Sequence, residues 1–254
     1  MKHLFKVTIL TLAMLCCYTM ISEAKVKKTR KARTEKRITK TPSLSSKEIG
    51  SETMNDSQKT TNEREYVDLG LPSGTLWATC NVGASSPYEA GSYFAWGETT
   101  PKQDYSLNSY KWYNTVTGKY TKYCDNSSYG VVDNKTELEL ADDAAYVNWG
   151  KNWRMPTKAQ FDELRAECTW QWNGSGYLVT SKKNGATLIL PAAGGRGGSL
   201  LGLSGSYGYY WSRSLYPDYS HYAFNLYFHS GHVNTHYSSR FDGQSVRAVR
   251  VSQN

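Results

Sequence analysis

A β-hairpin is predicted by the stretch HYAFNLYFHSGHVNTHY, residues 221–237, near the end of the chain. Phe224, Leu226 and Phe228 fall on one face of its first strand, and polar or aromatic side chains fall on the other. Ser230-Gly231 is typical of a two-residue hairpin turn. This turn pairs His229 with His232, Tyr227 with Asn234, Asn225 with His236, Phe228 with Val233, Leu226 with Thr235 and Phe224 with Tyr237. We therefore expect one buried face and one face that contacts a ligand.

The composition around this hairpin favours a contact surface. From Asn184 to the end there is no Lys, Glu, Met or Cys, whereas Tyr, His, Ser, Asn and Asp are frequent. Tyrosine gives a large contact area at a low cost in conformational entropy. The predicted ligand-binding residues are Tyr216, Asp218, Tyr219, His221, Asn225, Tyr227, His229, His232, Asn234 and His236.

Residues 1–24 have the pattern of a secretory signal peptide. Lys2 and Lys6 precede an apolar run from Val7 to Ile21, and the small residues of 22–24 suit a cleavage site. A run of about 15 residues is too short to span a bilayer comfortably. No small residue precedes the cysteine pair of the run, so a lipid anchor is not expected. The sequence predicts a secreted or cell-surface protein.

The positive charge of the chain is concentrated in one segment. Residues 25–64 hold 12 Lys/Arg and 5 Asp/Glu, whereas residues 65–254 hold 16 of each. The segment 25–64 is polar, rich in Ser and Thr and without periodicity, which favours a basic disordered linker. It could contact an anionic envelope surface, but binding to nucleic acid is not expected. Residues 65–254 are long enough for one domain with its own core.

The remaining pattern predicts an α+β domain with few helices, many short strands and long loops. Helices are expected at 86–89, at 142–150 and after a capping box at Thr157–Gln160, with Phe161, Leu164 and Cys168 facing inward. Strands are expected at 66–71, 75–82 and 93–97, and a hairpin at 177–181 and 186–190. Residues 101–134 are predicted to be irregular with short strands, and 193–207 to be a flexible glycine-rich loop.

Three cysteines remain after export. One disulfide, for which Cys80 with Cys168 is the favoured pair, and three buried free thiols are equally compatible with the sequence. Cys124 would be the unpaired thiol in the first case.

No metal or catalytic site is predicted. His232 and His236 would lie about 13 Å apart along one strand, so the three hairpin histidines cannot all share one ion. His229 with His232 needs further ligands to hold a metal. Asp142 and Asp143 could help to hold a structural calcium, although they equally suit a helix N-terminus. The glycine run 194–198 does not open a helix, which excludes a phosphate loop. No cofactor and no enzyme activity are therefore expected.

Several segments resemble the Fibrobacter succinogenes major paralogous domain family of exported bacterial proteins, which is abundant in Bacteroidetes. They are YVDLGLPSGTLWATCNVG (66–83), YFAWGE (93–98), WGKNWRMPT (149–157), ILPAA (189–193), YYWS (209–212) and SVRAVR (245–250). That family is similar to the formylglycine-generating-enzyme type of C-type lectin-like fold, whose "RLPT" helix entry resembles residues 153–157. The resemblance implies a C-type lectin-like domain. It does not imply the oxidase activity, because the chain has no cysteine after Cys168.

The C-terminal segment also resembles the variable proteins of diversity-generating retroelements, which use this fold. Randomising the adenines of AAY codons gives NNY codons, which encode Tyr, His, Asp, Asn, Ser, Phe and others but never Lys, Glu, Gln, Met or Trp. The positions that fit are Tyr216, Asp218, Tyr219, Ser220, His221, Tyr222, Tyr227, His229, His232, Asn234, His236, Tyr237, Ser238, Phe241 and Asp242. A fixed aromatic binding surface would have a similar composition.

The predicted function is ligand binding. We expect an exported, non-catalytic, adhesion- or receptor-like protein that contacts a protein or glycan on a cell, host or phage surface. The alternatives are a structural component of a bacterial envelope or matrix assembly and an enzyme with an unrecognised site.

Overall fold

The computed structural model describes residues 64–217 and 219–250. The predicted signal peptide and nearly all of the predicted linker lie outside these residues. The strands are β1 (Tyr66–Asp68), β2 (Leu76–Ala78), β3 (Tyr113–Asn114), β4 (Lys119–Tyr120), β5 (Trp153–Arg154), β6 (Cys168–Trp172), β7 (Gly176–Ser181), β8 (Thr187–Pro191), β9 (Gly195–Gly197), β10 (Leu200–Gly202), β11 (Tyr207–Leu215), β12 (Tyr222–His229), β13 (His232–Ser239) and β14 (Val249–Arg250). The α-helices are α1 (Ala144–Trp149) and α2 (Lys158–Glu167), and short 3-10 helices span Leu107–Ser109 and Leu140–Asp142.

The strands form several small sheets. The strand orders are β1-β2-β14-β5, β6-β7-β8 and β11-β12-β13, with two-stranded sheets β3-β4 and β9-β10. In the first sheet Val249 pairs with Trp77 on one side and with Arg154 on the other. The end of the described chain is thus inserted between two earlier strands. Small sheets with few helices agree with the predicted α+β class. No helix within the described residues is long and apolar enough to cross a membrane.

Helix α2 begins as the sequence predicts. Thr157 Oγ1 accepts from the backbone N–H of Gln160 over 3.1 Å, and Gln160 Oε1 accepts from the N–H of Thr157 over 2.9 Å. This capping box satisfies two N–H groups that would otherwise lack partners. The inward residues Phe161, Leu164 and Cys168 are buried, as expected. They belong to a core cluster that also contains Trp77, Leu226 and Phe228 of the surrounding sheets.

Helix α1 is confirmed as well, with Asp143 as its N-cap. Its carboxylate accepts from the N–H groups of Ala145, Tyr146 and Met155. Asp142 instead pairs with Lys111 and Lys122 and accepts from the hydroxyl of Tyr123. The oxygens of both carboxylates are thus engaged by protein donors, and Asp143 has the helix N-terminal role considered for it.

Other predictions are corrected by the structure. Residues 86–89 form a turn closed by the N–H of Glu89 on the Ser86 carbonyl, not a helix. In the segment 93–97 only Phe94 forms a β-bridge, with Gln244. The stretch 168–172, to which the sequence analysis assigned no strand, is strand β6. The segment 193–207 contains the β9–β10 hairpin. Two backbone hydrogen bonds between Arg196 and Gly243 attach this hairpin to the C-terminal segment, so 193–207 is not a flexible surface loop.

The three cysteines are free, and the favoured disulfide is wrong. Cys168 lies in the core cluster of α2, and Cys80 is half-buried beside Thr79. Cys124 is buried and its thiol donates to the carbonyl of Asn126. The residues 101–134 are irregular with the short strands β3 and β4, as predicted.

Candidate functional site

The predicted hairpin is confirmed in every pair. Strands β12 and β13 have the register His229 with His232, Tyr227 with Asn234, Asn225 with His236, Phe228 with Val233, Leu226 with Thr235 and Phe224 with Tyr237. Gly231 has φ of +82°, which the second position of this tight turn requires. The alternation and the turn were sufficient to fix the register because a shift by one residue would bring the apolar side chains to the solvent.

The tip of the hairpin is attached to the core by Tyr177. Its hydroxyl donates to the carbonyl of His229 over 3.1 Å and accepts from the N–H of Gly231 over 3.0 Å. The ring of Tyr177 packs edge-on against Phe228, with centroids 5.3 Å apart. Both rings are buried. The turn is therefore held in place by side-chain contacts as well as by strand pairing.

Strand β11 extends the hairpin into a three-stranded aromatic surface. Tyr207 pairs with His229, and Tyr209 pairs with Tyr227, so these side chains share one face. The centroid of the Tyr227 ring lies 6.0 Å from that of Tyr207 and 5.3 Å from that of Tyr209. On the other side the same ring lies 5.9 Å from those of His232 and of His236. We call this surface the aromatic face; it comprises Tyr207, Tyr209, Tyr227, His229, His232 and His236.

A second group of rings surrounds the loop before β12. The ring centroid of Tyr216 lies 4.4 Å from that of Tyr237 and 6.1 Å from that of Tyr219. His221 contacts Tyr222, with ring centroids 3.9 Å apart. The side chain of Tyr219 is half exposed, at 50%. We call this group the loop cluster; it comprises Tyr129, Tyr216, Tyr219, His221, Tyr222 and Tyr237.

The predicted site residues do not all share one face. Tyr237 pairs with Phe224, so by strand alternation it belongs to the face opposite His236. The two groups meet at β13, the edge strand, where the rings of His236 and Tyr237 stack with centroids 4.7 Å apart. Asp218 lies outside the described residues. The site therefore consists of two aromatic groups that meet at the sheet edge.

Asn225 is not a surface residue, contrary to the prediction. It is 1% exposed, and its Nδ2 donates to Ser238 Oγ and to Gln244 Oε1, each over 2.9 Å. Asn225 pairs with Trp211, and the segment around Gln244 covers this end of the sheet. Near its base the hairpin is therefore covered at Asn225 in β12, whereas the partner residue His236 on the edge strand β13 is exposed. Phe224 was predicted to be buried, but it is only half-buried. The ammonium group of Lys158 lies 5.3 Å from its ring centroid.

The other predicted residues lie at the surface or partly so. Asn234 is half-buried beside Tyr227, and His232 and His236 are exposed. Tyr207 and Tyr209 were not among the predicted binding residues, and Tyr207 fell in the segment 193–207 that was predicted to be a loop. The alternation of Tyr207, Tyr209 and Trp211 was the signal that could have found them.

Burial shifts the pKa of several ionisable groups in and beside these rings. Burial raises the pKa of the Asp242 carboxyl to about 7, although the backbone N–H of Ser239 partly opposes this shift. Burial likewise raises the pKa of Tyr209 and of Tyr227. The pKa of His221 is lowered by burial and by the charge of Arg240, which favours its neutral form.

The described residues hold no cluster of three or more His, Cys, Asp or Glu side chains placed to bind a metal ion. Among the described residues the site offers ring faces, phenol hydroxyls, imidazoles and one amide. Such groups provide contact area and hydrogen bonds.

A scan against family models, a search of curated proteins and a search of solved structures each found no match to this chain.

Proposed function

We propose that this chain is an exported, non-catalytic binding protein. Its ligand would be a protein or glycan on a cell, host or phage surface, contacted through the aromatic face and the loop cluster. The observation that carries this proposal is the continuous run of partly exposed rings from Tyr207 across the sheet to Tyr219. Large aromatic patches on a rigid frame are typical of binding surfaces.

The support beneath the rings favours this interpretation. Phe228, behind the tip, is fully buried, and Tyr177 fixes the turn. Strand β12 lies between β11 and β13, so the backbone that carries Tyr227 and His229 is hydrogen-bonded on both sides. A preorganised surface loses little conformational entropy when it binds. Between residues 219 and 239 there is no Lys, Arg, Asp or Glu, so contact would depend on stacking and neutral hydrogen bonds.

We propose further that the domain has the C-type lectin-like fold of the Fibrobacter succinogenes major paralogous domain family. Two observations support this: the sheet in which β14 returns beside β2, and the Trp153–Thr157 entry to a capped helix. The C-terminal segment would then be a site that tolerates replacement of its exposed side chains, as in a retroelement variable protein. Of the fifteen positions that fit the codon pattern, Ser220 is fully buried, which argues that it is not a contact position.

The retroelement proposal is tested in the gene. We expect the codons of the exposed positions to end in one pyrimidine, and a near-copy with AAC or AAT at these positions within a few kilobases. Mixed third bases and no near-copy would mean a fixed binding protein with a single ligand.

The binding proposal is tested with two kinds of probe. The purified full chain is applied to an array of bacterial and host glycans and to intact bacterial and host cells, with bound protein detected by fluorescence. The informative variant is Tyr207→Ala/Tyr227→Ala, which removes two rings from the centre of the aromatic face. We expect signals from the native chain to be lost in this variant, while its melting temperature changes little.

Tyr88→Ala is the matched control. Tyr88 is the most exposed tyrosine among the described residues, at 68%, and has no ring contact with the site. It should bind as the native chain does. Equal signals from the native chain and from the double variant would contradict the assignment of the site.

A further inference from the structure

We propose that His229 and His232 form a binding site for one divalent transition-metal ion of the copper, nickel and zinc class. Both residues belong to the aromatic face, but the proposal does not require that face to bind a protein or glycan. The site consists of two side chains on neighbouring strands, on either side of the turn at the hairpin tip.

The first step of the argument is the position of the two rings. His229 and His232 are direct cross-strand partners, with ring centroids 5.3 Å apart and planes inclined by 19°. Side chains opposite one another in an antiparallel pair project from the same face at close range. The side chain of His232 is exposed and makes no hydrogen bond to another described residue, so its ring can turn toward an ion beside His229.

The second step is the tautomer of His229. Its Nδ1 lies 3.0 Å from the carbonyl oxygen of Ser230. A carbonyl can only accept, so Nδ1 carries the proton and donates, and Nε2 keeps its lone pair. This arrangement orients metal-binding histidines in proteins and increases the basicity of the free nitrogen.

The third step is the rigidity of the turn between the two ligands. The hydroxyl of Tyr177 holds both the carbonyl of His229 and the N–H of Gly231. Tyr177 is itself buried against Phe228. The cost of bringing the two imidazoles together is therefore met when the chain folds, as a preorganised site requires.

Two imidazole nitrogens determine the class of ion. Nitrogen ligands of this kind suit copper, nickel and zinc, with copper(II) bound most tightly, whereas magnesium and calcium prefer oxygen. His236 supplies a built-in comparison. Its Nδ1 lies 2.9 Å from the carbonyl of Tyr237, so it is oriented in the same way, but Tyr227 separates it from His232.

The test uses the full chain without a histidine tag. Every sample carries His3→Ala, because His3 is the one histidine outside the described residues and could bind copper together with the N-terminal amine. Zinc binding is measured by calorimetry, and copper(II) is observed by paramagnetic resonance. We expect one ion per chain, with hyperfine coupling to two imidazole nitrogens.

Three single variants decide the outcome. His229→Ala and His232→Ala should each weaken binding roughly tenfold or more, because either change leaves a single ligand. The double variant should bind no better than either single variant, because it keeps neither imidazole. His236→Ala should stay within about twofold of the native chain, since it does not share the ion. Equal losses in all three single variants, or a native chain that binds no better than the double variant, would overturn the proposal.

Discussion

Arg240 donates from Nε to the hydroxyl of Tyr110 over 3.0 Å, at a point where both side chains are almost fully buried. Its guanidinium carbon lies between 4.8 and 5.9 Å from four ring centroids, those of Trp96, Tyr110, Tyr120 and Tyr123. The remaining donors reach the carbonyls of Lys122, Tyr123 and Ser220. A cation is thus buried with ring faces and carbonyls as partners, and it joins the irregular segment 101–134 to the loop cluster.

Replacement of Arg240 by methionine should destabilise the domain strongly. The change leaves buried carbonyl groups without donors, and each such group costs about 1–3 kcal/mol. We expect the free energy of unfolding, measured in urea, to fall by about 3 kcal/mol or more. Arg213→Met is the control, because Arg213 pairs with Glu137 at the surface. Surface pairs contribute about 1 kcal/mol or less, so equal losses in the two variants would contradict this role for Arg240.

The contact between Gly208 and Phe228 should appear as coupling between two substitutions. A Cβ atom at Gly208 would lie 2.0 Å from Cζ of the buried Phe228 ring. Gly208→Ala should therefore destabilise the native chain by about 1–3 kcal/mol, and Phe228→Ala by about 3–5 kcal/mol. In the Phe228→Ala background the penalty of Gly208→Ala should nearly disappear, because the ring that it meets is gone.

A double-mutant cycle of urea unfolding measures this coupling. Gly197→Ala is the control, because a Cβ atom at Gly197 meets no atom within 4 Å. It should change stability equally in both backgrounds. Additive effects of Gly208→Ala and Phe228→Ala would show that the glycine is not required by the ring.

The hairpin and the capped helix could be predicted because their signals are local. A two-residue turn between alternating segments determines six cross-strand pairs, and Thr157 with Gln160 determines where α2 begins. Asn225 and Arg240 could not be placed in this way. Each looks like a surface residue, and each is buried because a distant segment returns over it. Strand alternation shows which residues share a face but does not show what covers that face.

Only part of the aromatic face could be predicted, because only part of it depends on local signals. The positions of Tyr227, His229 and His232 followed from the hairpin. The contribution of β11 depends instead on its pairing with β12, which no short turn between the two strands fixes. The register between β11 and β12 also shifts between Trp211 and Leu215, an irregularity that the sequence does not reveal.

Asp242 should make stability depend on pH. Its pKa is raised to about 7 in the folded chain from an ordinary value of 3.8, chiefly by burial. Between these values the folded state holds the proton more tightly than the unfolded state, so this group lowers stability as pH rises through that range. Below it the carboxyl is neutral in both states, and the penalty is absent.

Asp242→Asn should remove this contribution. We expect the variant to gain stability over the native chain as pH rises from 4 to 8, with little difference at pH 4. The measurement is the difference between native and variant urea midpoints at each pH. This difference cancels the pH-dependent contribution of the histidines, which both proteins share. Asp104→Asn, at an exposed aspartate, is the control and should show no such trend. A constant difference across the range would mean that Asp242 is charged in both states.

Asn225→Ala separates a structural role from a contact role. The change removes the donor to Ser238 Oγ and Gln244 Oε1, and Gln244 is 2% exposed. A buried acceptor left unpaired costs about 1–3 kcal/mol, which a shift in the urea midpoint would measure. Asn234→Ala, at the half-buried neighbour of Tyr227, should cost about 0.5 kcal/mol or less. Binding to cells, measured well below the melting temperature, should be retained by Asn225→Ala. Unchanged stability together with lost binding would instead show that Asn225 contacts the ligand.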